Sequence, residues 1–161
     1  MSENLNSDKD KKGAAVKFPP PLIFLLMMLF AYGINYYYPI NIGVSSKIKY
    51  LGWFLVVSSI CLVIYISRLF ARIETHIEPW KPTTAIISTG IYAYSRNPIY
   101  VAFCLIAIGV GIIVNSFWVL FSFLPSAALV YFIAIKKEED YLQNKFGEEY
   151  FQYKNSVRRW L

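Results

Sequence analysis

The sequence predicts an all-α fold: a polytopic membrane protein with four transmembrane helices, the third and fourth forming a helical hairpin, an ordered cytoplasmic loop and a C-terminal amphipathic helix. Three observations predict it. Of the 161 residues, 57% are hydrophobic and only 16% charged, against about 45–50% and about 25% in an ordinary soluble domain. Aromatic residues reach 18%, an apolar excess that one small core does not hide from water. Charged residues are also absent from three long intervals. The length suits one domain, 18–161, behind a polar tail, 1–17.

The tail alternates Asp8, Lys9, Asp10, Lys11 and Lys12 and lacks apolar periodicity, so it is expected to be disordered. The first charge-free interval, between Lys17 and Lys47, has its apolar part from Pro21 to Tyr38. That length suits a span of about 20 residues, and with no clear small-x-small cleavage site after it the segment is expected to be retained. The second interval, Tyr50 to Ser67, carries Trp53, Phe54, Leu55, Val56, Val57, Ile60, Leu62, Val63 and Ile64 and makes a second span. The third runs from Asn97 to Ile135. As one helix it would extend about 58 Å, more than a bilayer core of ~30 Å requires, so a hairpin turning near Asn115 and Ser116 is expected. Pro125 should kink the fourth helix, and Gly109 and Gly111 give the third a small-residue surface for close packing.

The basic residues orient these spans. Fourteen of the 16 Lys and Arg lie in the tail, the loop between spans two and three, and the C-terminal segment; only Lys47 and Lys49 fall on the other side. Both termini and the central loop are therefore expected in the cytoplasm, with Tyr36, Tyr37 and Tyr38 in the opposite interfacial belt. The net charge of +6 reads as an orientation signal and a match to anionic lipid headgroups, and no nucleic-acid partner is expected. Cys61 and Cys104 lie in apolar runs, and His76 is the sole histidine. No metal site is expected.

Between Ala71 and Arg96 the loop holds Pro79, Pro82, the run Thr83, Thr84, Ala85, Ile86, Ile87, and Gly90, which reads as ordered but not helical. After Ile135, Leu142, Phe146, Tyr150, Tyr153 and Val157 recur at steps of four, four, three and four. An amphipathic helix packed against the cytoplasmic loop follows from that period, with Gly147 as a weak point.

Chemistry concentrates at the start of the third span. Asn97 is a preferred N-cap, Pro98 suits the first helical position and Arg96 suits an interfacial anchor, so the segment has a structural reading. It equally suits a site for a carboxylate or phosphate, because a helix N-terminus beside an Arg offers several donors. Glu138 and Glu139 follow the last span; they read either as solvated helix charges or as carboxylates holding an ammonium or a ribose hydroxyl. His76 reads as a loop hydrogen-bonding group or as a base.

The stretch Thr84 to Tyr100, ending Arg96-Asn97-Pro98-Ile99-Tyr100, is followed after the expected hairpin by Glu138-Glu139 and then by Phe146-Gly147-Glu148-Glu149-Tyr150 with Tyr153, Lys154 and Val157. In this order and spacing it resembles the isoprenylcysteine carboxyl methyltransferase family, whose wider group takes in phospholipid methyltransferases. The resemblance covers the C-terminal half. It implies an integral membrane enzyme that takes S-adenosylmethionine from the cytosolic side and a lipophilic acceptor from the bilayer. By position it implies cofactor contacts at Thr84, Ala85, Ile86, Ile87, Tyr92, Asn97, Pro98, Ile99, Tyr100 and Glu138, to which the residue reading adds Arg96. Glu139 and His76 are the candidate bases for an amine or thiol acceptor. Asn97 stands where the family usually has His, which removes a titrating group, and Ala134 stands where prenylcysteine enzymes have an Arg. Two alternatives stay open: a sterol-type membrane reductase using NADPH, which shares an Arg-x-Pro-x-Tyr pattern, and a small membrane protein without catalytic activity.

Overall fold

Two prolines open the first helix. Pro19 is extended, and Pro20 takes the N-terminal position, where its missing N–H is no loss. The computed structural model describes residues 13–161. Among these every regular element is helical, beside one isolated antiparallel bridge between Asn41 and Ser116. The helices are α1 (Pro20–Tyr37), α2 (Ser46–Arg72), a 3-10 turn (Gly90–Ala93), α3 (Pro98–Ile113), α4 (Phe117–Phe121), α5 (Phe123–Val130), a π-helical segment (Tyr131–Ile135), α6 (Lys136–Phe146) and α7 (Glu148–Ser156). Three helical stretches, Pro20–Tyr37, Ser46–Arg72 and Phe117–Phe146, are long and apolar enough to cross a membrane; α3, with 16 residues, is shorter.

The chain forms two compact units. One comprises Pro19–Tyr65 and Ile99–Val130. In it α2 and α3 cross through glycine: a Cβ on Gly52 would stand 2.8 Å from the Gly109 carbonyl oxygen, and one on Gly109 would stand 2.7 Å from that of Gly52. Phe24 packs on Phe103 at 5.5 Å between ring centroids. After α3 the chain turns at Asn115, whose φ of 56° is left-handed, and Ser116 caps α4 by accepting from the Val119 N–H at 3.3 Å. The segment after α1 is stitched to this turn. Val44 N–H donates to Asn115 Oδ1, Phe117 N–H to the Ile40 carbonyl, and Trp118 Nε1 to the Tyr38 carbonyl, at 3.1, 3.0 and 2.8 Å. Helix α4 stops at Phe121, four residues before Pro125, as a proline ring that displaces the i−4 carbonyl requires. Leu25, Leu29, Phe30, Trp53 and Phe54 are exposed, an apolar surface that suits lipid better than water.

The other unit comprises Ile66–Pro98 and Tyr131–Leu161 together with residues 13–18. The expected single amphipathic helix after Ile135 is two helices. Gly147 takes φ 54°, ψ −117°, which ends α6 and begins α7, and only glycine enters such a conformation cheaply. Gln143 Nε2 donates to the Gly147 carbonyl at 2.9 Å and fixes the corner. The apolar period persists because Tyr150 and Tyr153 on α7 are buried.

The tail expected to be disordered through residue 17 divides in two. Residues 1–12 lie outside the described residues, while 13–17 include buried Ala14 and Val16, with the Ala14 N–H donating to the Pro79 carbonyl at 2.9 Å. Small apolar side chains that find a seat are not left in water.

Candidate functional site

The loop from Ile73 to Asn97 is largely irregular, and side chains satisfy part of its backbone. Thr84 N–H donates to Thr75 Oγ1 at 3.0 Å, Thr84 Oγ1 to the Glu74 carbonyl at 3.3 Å, and Thr83 N–H to the Tyr141 hydroxyl of α6 at 3.2 Å. Ile87 is buried, Ala85 and Ile86 are half-buried, and Thr84 is exposed. Further on, Tyr92 stacks on Phe70 at 5.8 Å, and its carbonyl accepts from the Tyr153 hydroxyl at 2.8 Å. Burial pushes the Tyr92 hydroxyl well above the usual phenol range, helped by the negative charge of Glu138. That effect brings Glu138 into the electrostatic field of the loop.

The C-terminal arm closes on the end of the loop. Arg96 N–H donates to the Arg158 carbonyl and Asn97 Nδ2 to the Arg159 carbonyl, both at 2.9 Å. Three charged groups meet at this joint. Arg159 grips Glu139 with two parallel bonds, Nε to Oε1 at 2.8 Å and Nη2 to Oε2 at 3.0 Å. Arg96 Nη1 stands 3.1 Å from the same Oε1 and 3.4 Å from the Tyr150 hydroxyl. The Arg159 guanidinium also lies over the Tyr131 ring at 5.2 Å. Arg96 and Glu139 side chains are only 8% and 11% exposed. Glu138 is half-buried beside them in sequence.

One donor in this cluster is unspent: Arg96 Nε is buried and has no hydrogen-bond partner. Such a group costs free energy until an acceptor meets it. An anionic oxygen is the chemistry that would satisfy it.

Residues 48–149 match the model of the family described as phospholipid methyltransferase. The chain belongs to that family. A stretch of 74 residues is 38% identical to the protein-S-isoprenylcysteine O-methyltransferase of Schizosaccharomyces pombe, and 72 residues are 35% identical to the enzyme of the same name in Saccharomyces cerevisiae. Each alignment covers 45% of this chain and spans only 30% of the yeast relative. A 27-residue stretch is 63% identical to an uncharacterized protein of Haemophilus influenzae, over 17% of this chain and 43% of that one.

In this phospholipid methyltransferase family member, the residues singled out from sequence fall in several places. Thr84, Ala85, Ile86, Ile87, Tyr92, Arg96, Asn97, Pro98, Glu138 and Glu139 share one unit. Ile99 and Tyr100 continue α3 in the other, where Tyr100 is buried. His76 is exposed on the loop, where its charge acts on Glu78. Rather than an interfacial anchor, Arg96 is a buried member of an ion cluster. The structure adds Arg159, Tyr150 and Tyr153 to the surroundings of Glu139, Arg96 and Tyr92. The tyrosines signalled through their place on the apolar stripe, whereas Arg159 counted only as a topology charge. Ala134 is fully buried within the π-helical segment.

Proposed function

We propose that the chain transfers a methyl group from S-adenosylmethionine to a lipophilic acceptor held in the membrane, with the cofactor taken from the cytoplasmic side. The observation that carries this reading is the buried Nε of Arg96, which has no hydrogen-bond partner, in a chain of a methyltransferase family. Residues and cofactor fit in kind. Arg96 would receive its carboxylate, Glu138 its ammonium or a ribose hydroxyl, and Ala85, Ile86 and Ile87 with Tyr92 its adenine. The sulfonium supplies an electrophilic methyl carbon to an in-line nucleophile. The protein's part is alignment and exclusion of water.

Glu139 is a positioning residue in this reading. Both of its oxygens are engaged by guanidinium groups, which holds Arg96 in place and makes the carboxylate a poor proton acceptor. An anionic acceptor needs no base. For an amine or thiol, exposed His76 is the remaining candidate from the sequence, with water at hand to take the proton.

The proposed topology has four crossings, with both termini and the central loop cytoplasmic, and α3 forms a hairpin with the helices from Phe117. The distribution of basic residues supports it, as does the capped turn at Asn115 and Ser116.

The test is calorimetric titration of the detergent-purified chain with S-adenosylmethionine, S-adenosylhomocysteine and NADPH. Heat from both sulfur ligands and none from NADPH is expected. No response to either sulfur ligand, or binding of NADPH alone, would overturn the proposal.

A further inference from the structure

The segment just ahead of α1 makes an unusually close approach to the loop. Gly13, at φ +54°, lies so near the backbone of Lys81 that a Cβ would stand 2.2 Å from the Lys81 carbonyl oxygen and 2.9 Å from its nitrogen. The next residue donates its N–H to the Pro79 carbonyl, and Val16, two further on, is 3% exposed. The receiving turn is itself closed twice, by Lys81 N–H to the Glu78 carbonyl at 3.0 Å and by Lys81 Nζ to Glu78 Oε1 at 2.7 Å. Immediately after it come Pro82 and the run from Thr83 to Ile87, which is neither helix nor strand.

We propose that residues 13–17 are a strap that positions the 78–87 loop to receive the adenine of the cofactor. The inference rests on the proposed cofactor reading. It follows from how the loop is held. An irregular segment keeps its shape only through specific tethers, and those among the described residues include Thr75 and the Glu74 carbonyl at Thr84, Tyr141 at Thr83, and the strap at Pro79 and Lys81. Those at Thr83 and Thr84 hold the first residues of the apolar run. Among the described residues the strap is what grips the turn before that run from outside it, and glycine is the residue that allows that grip. Loss of the strap leaves the ion cluster of Arg96, Glu139 and Arg159 intact and loosens only the apolar side of the site. Cofactor affinity therefore falls while turnover at saturation is preserved.

Hydrogen–deuterium exchange of the full chain reads the mechanical half directly. Gly13→Val and the milder Val16→Ala are expected to speed amide exchange across 78–87 by about fivefold or more, with α7 unchanged, and Val16→Ile to behave as wild type. In methyl transfer assays both loosened variants should raise KM for S-adenosylmethionine by a similar factor and leave kcat alone. Wild-type exchange in 78–87 for both variants overturns the strap. Faster exchange with unchanged KM overturns its positioning role. If the wild-type chain binds no S-adenosyl compound, the cofactor reading fails and takes the positioning role with it, while the exchange comparison still decides whether the strap holds the loop.

Discussion

Arg159 and Glu139 meet fork to fork, with both guanidinium–carboxylate distances at or under 3.0 Å, and Arg96 shares one of the same carboxylate oxygens. Glu139 therefore neutralises two cations where little water reaches. Its removal strands at least the more buried of them, Arg96. Removing one partner of a buried ion pair costs about 3–5 kcal/mol. Glu139→Ala is accordingly expected to lower the unfolding free energy in detergent by several kcal/mol, and Arg159→Ala by less, since that side chain is a third exposed. A double-mutant cycle by thermal unfolding checks this; a Glu139→Ala loss under about 1 kcal/mol would refute the shared role.

Arg96→Lys separates charge from geometry. Lysine keeps the cation but lacks Nε and the planar fork. If Arg96 Nε meets an anionic group of the cofactor, affinity for S-adenosylhomocysteine should fall about tenfold or more, the equivalent of ~1.4 kcal/mol. Glu138→Ala should weaken binding likewise, and Glu148→Ala, on the exposed start of α7, should not. Equal affinities for all three variants in calorimetric titration would place the ligand elsewhere.

The Tyr153 hydroxyl joins α7 to the loop through the Tyr92 carbonyl, and burial pushes its pKa above the usual 10.0. Native Tyr153 thus keeps a proton that the unfolded chain gives up near pH 10. A raised folded pKa contributes stability that is full below the unfolded value and lost as pH rises past it. Denaturation measured between about pH 8 and 11 should show stability falling above about pH 10, with a shallower fall in Tyr153→Phe. At pH 7 the same variant should lose about 0.5–1.5 kcal/mol, the worth of one hydrogen bond. An unchanged alkaline slope would show that Tyr153 titrates normally.

The membrane-length helices were legible in the sequence because charge depletion is a property of whole intervals and needs no knowledge of neighbours. The break before Pro125 was legible for a covalent reason, the ring's conflict with the carbonyl four residues back. Gly147 was legible only as a weak point. A periodicity of apolar residues continues across a corner when the second helix buries the same stripe, and the backbone angle that makes the corner leaves no trace in that period. The burial of Ala14 and Val16 is not legible because their neighbours at 8–12 are charged, while the approach of Gly13 to Lys81 and of Ala14 to Pro79 is tertiary. Arg159 illustrates the same limit at the site. It lies 20 residues from Glu139 in the chain, so no local pattern pairs them.

Gly109 was read as a packing surface, but its partner Gly52 sits in a sequence of bulky neighbours and gave no signal. The structure puts each glycine's missing Cβ under 3.0 Å from the other's carbonyl oxygen, so α2 and α3 pass with backbone against backbone. No rotamer relieves a Cβ placed there, and one helix must move. That Cβ on Gly109 would also stand 2.9 Å from Val56 Cγ2 and 3.2 Å from Leu55 Cβ, and Gly109→Val adds two methyl groups beyond it. A loss of about 2–3 kcal/mol or more is expected, at the upper end of overpacking costs. Gly33 on α1 is the control, since a Cβ there meets nothing within 4 Å, and Gly33→Ala should stabilise by about 0.5–1 kcal/mol through helix propensity. Thermal unfolding of the two variants in the same detergent should give opposite signs, and a neutral Gly109→Val would refute the backbone-to-backbone crossing.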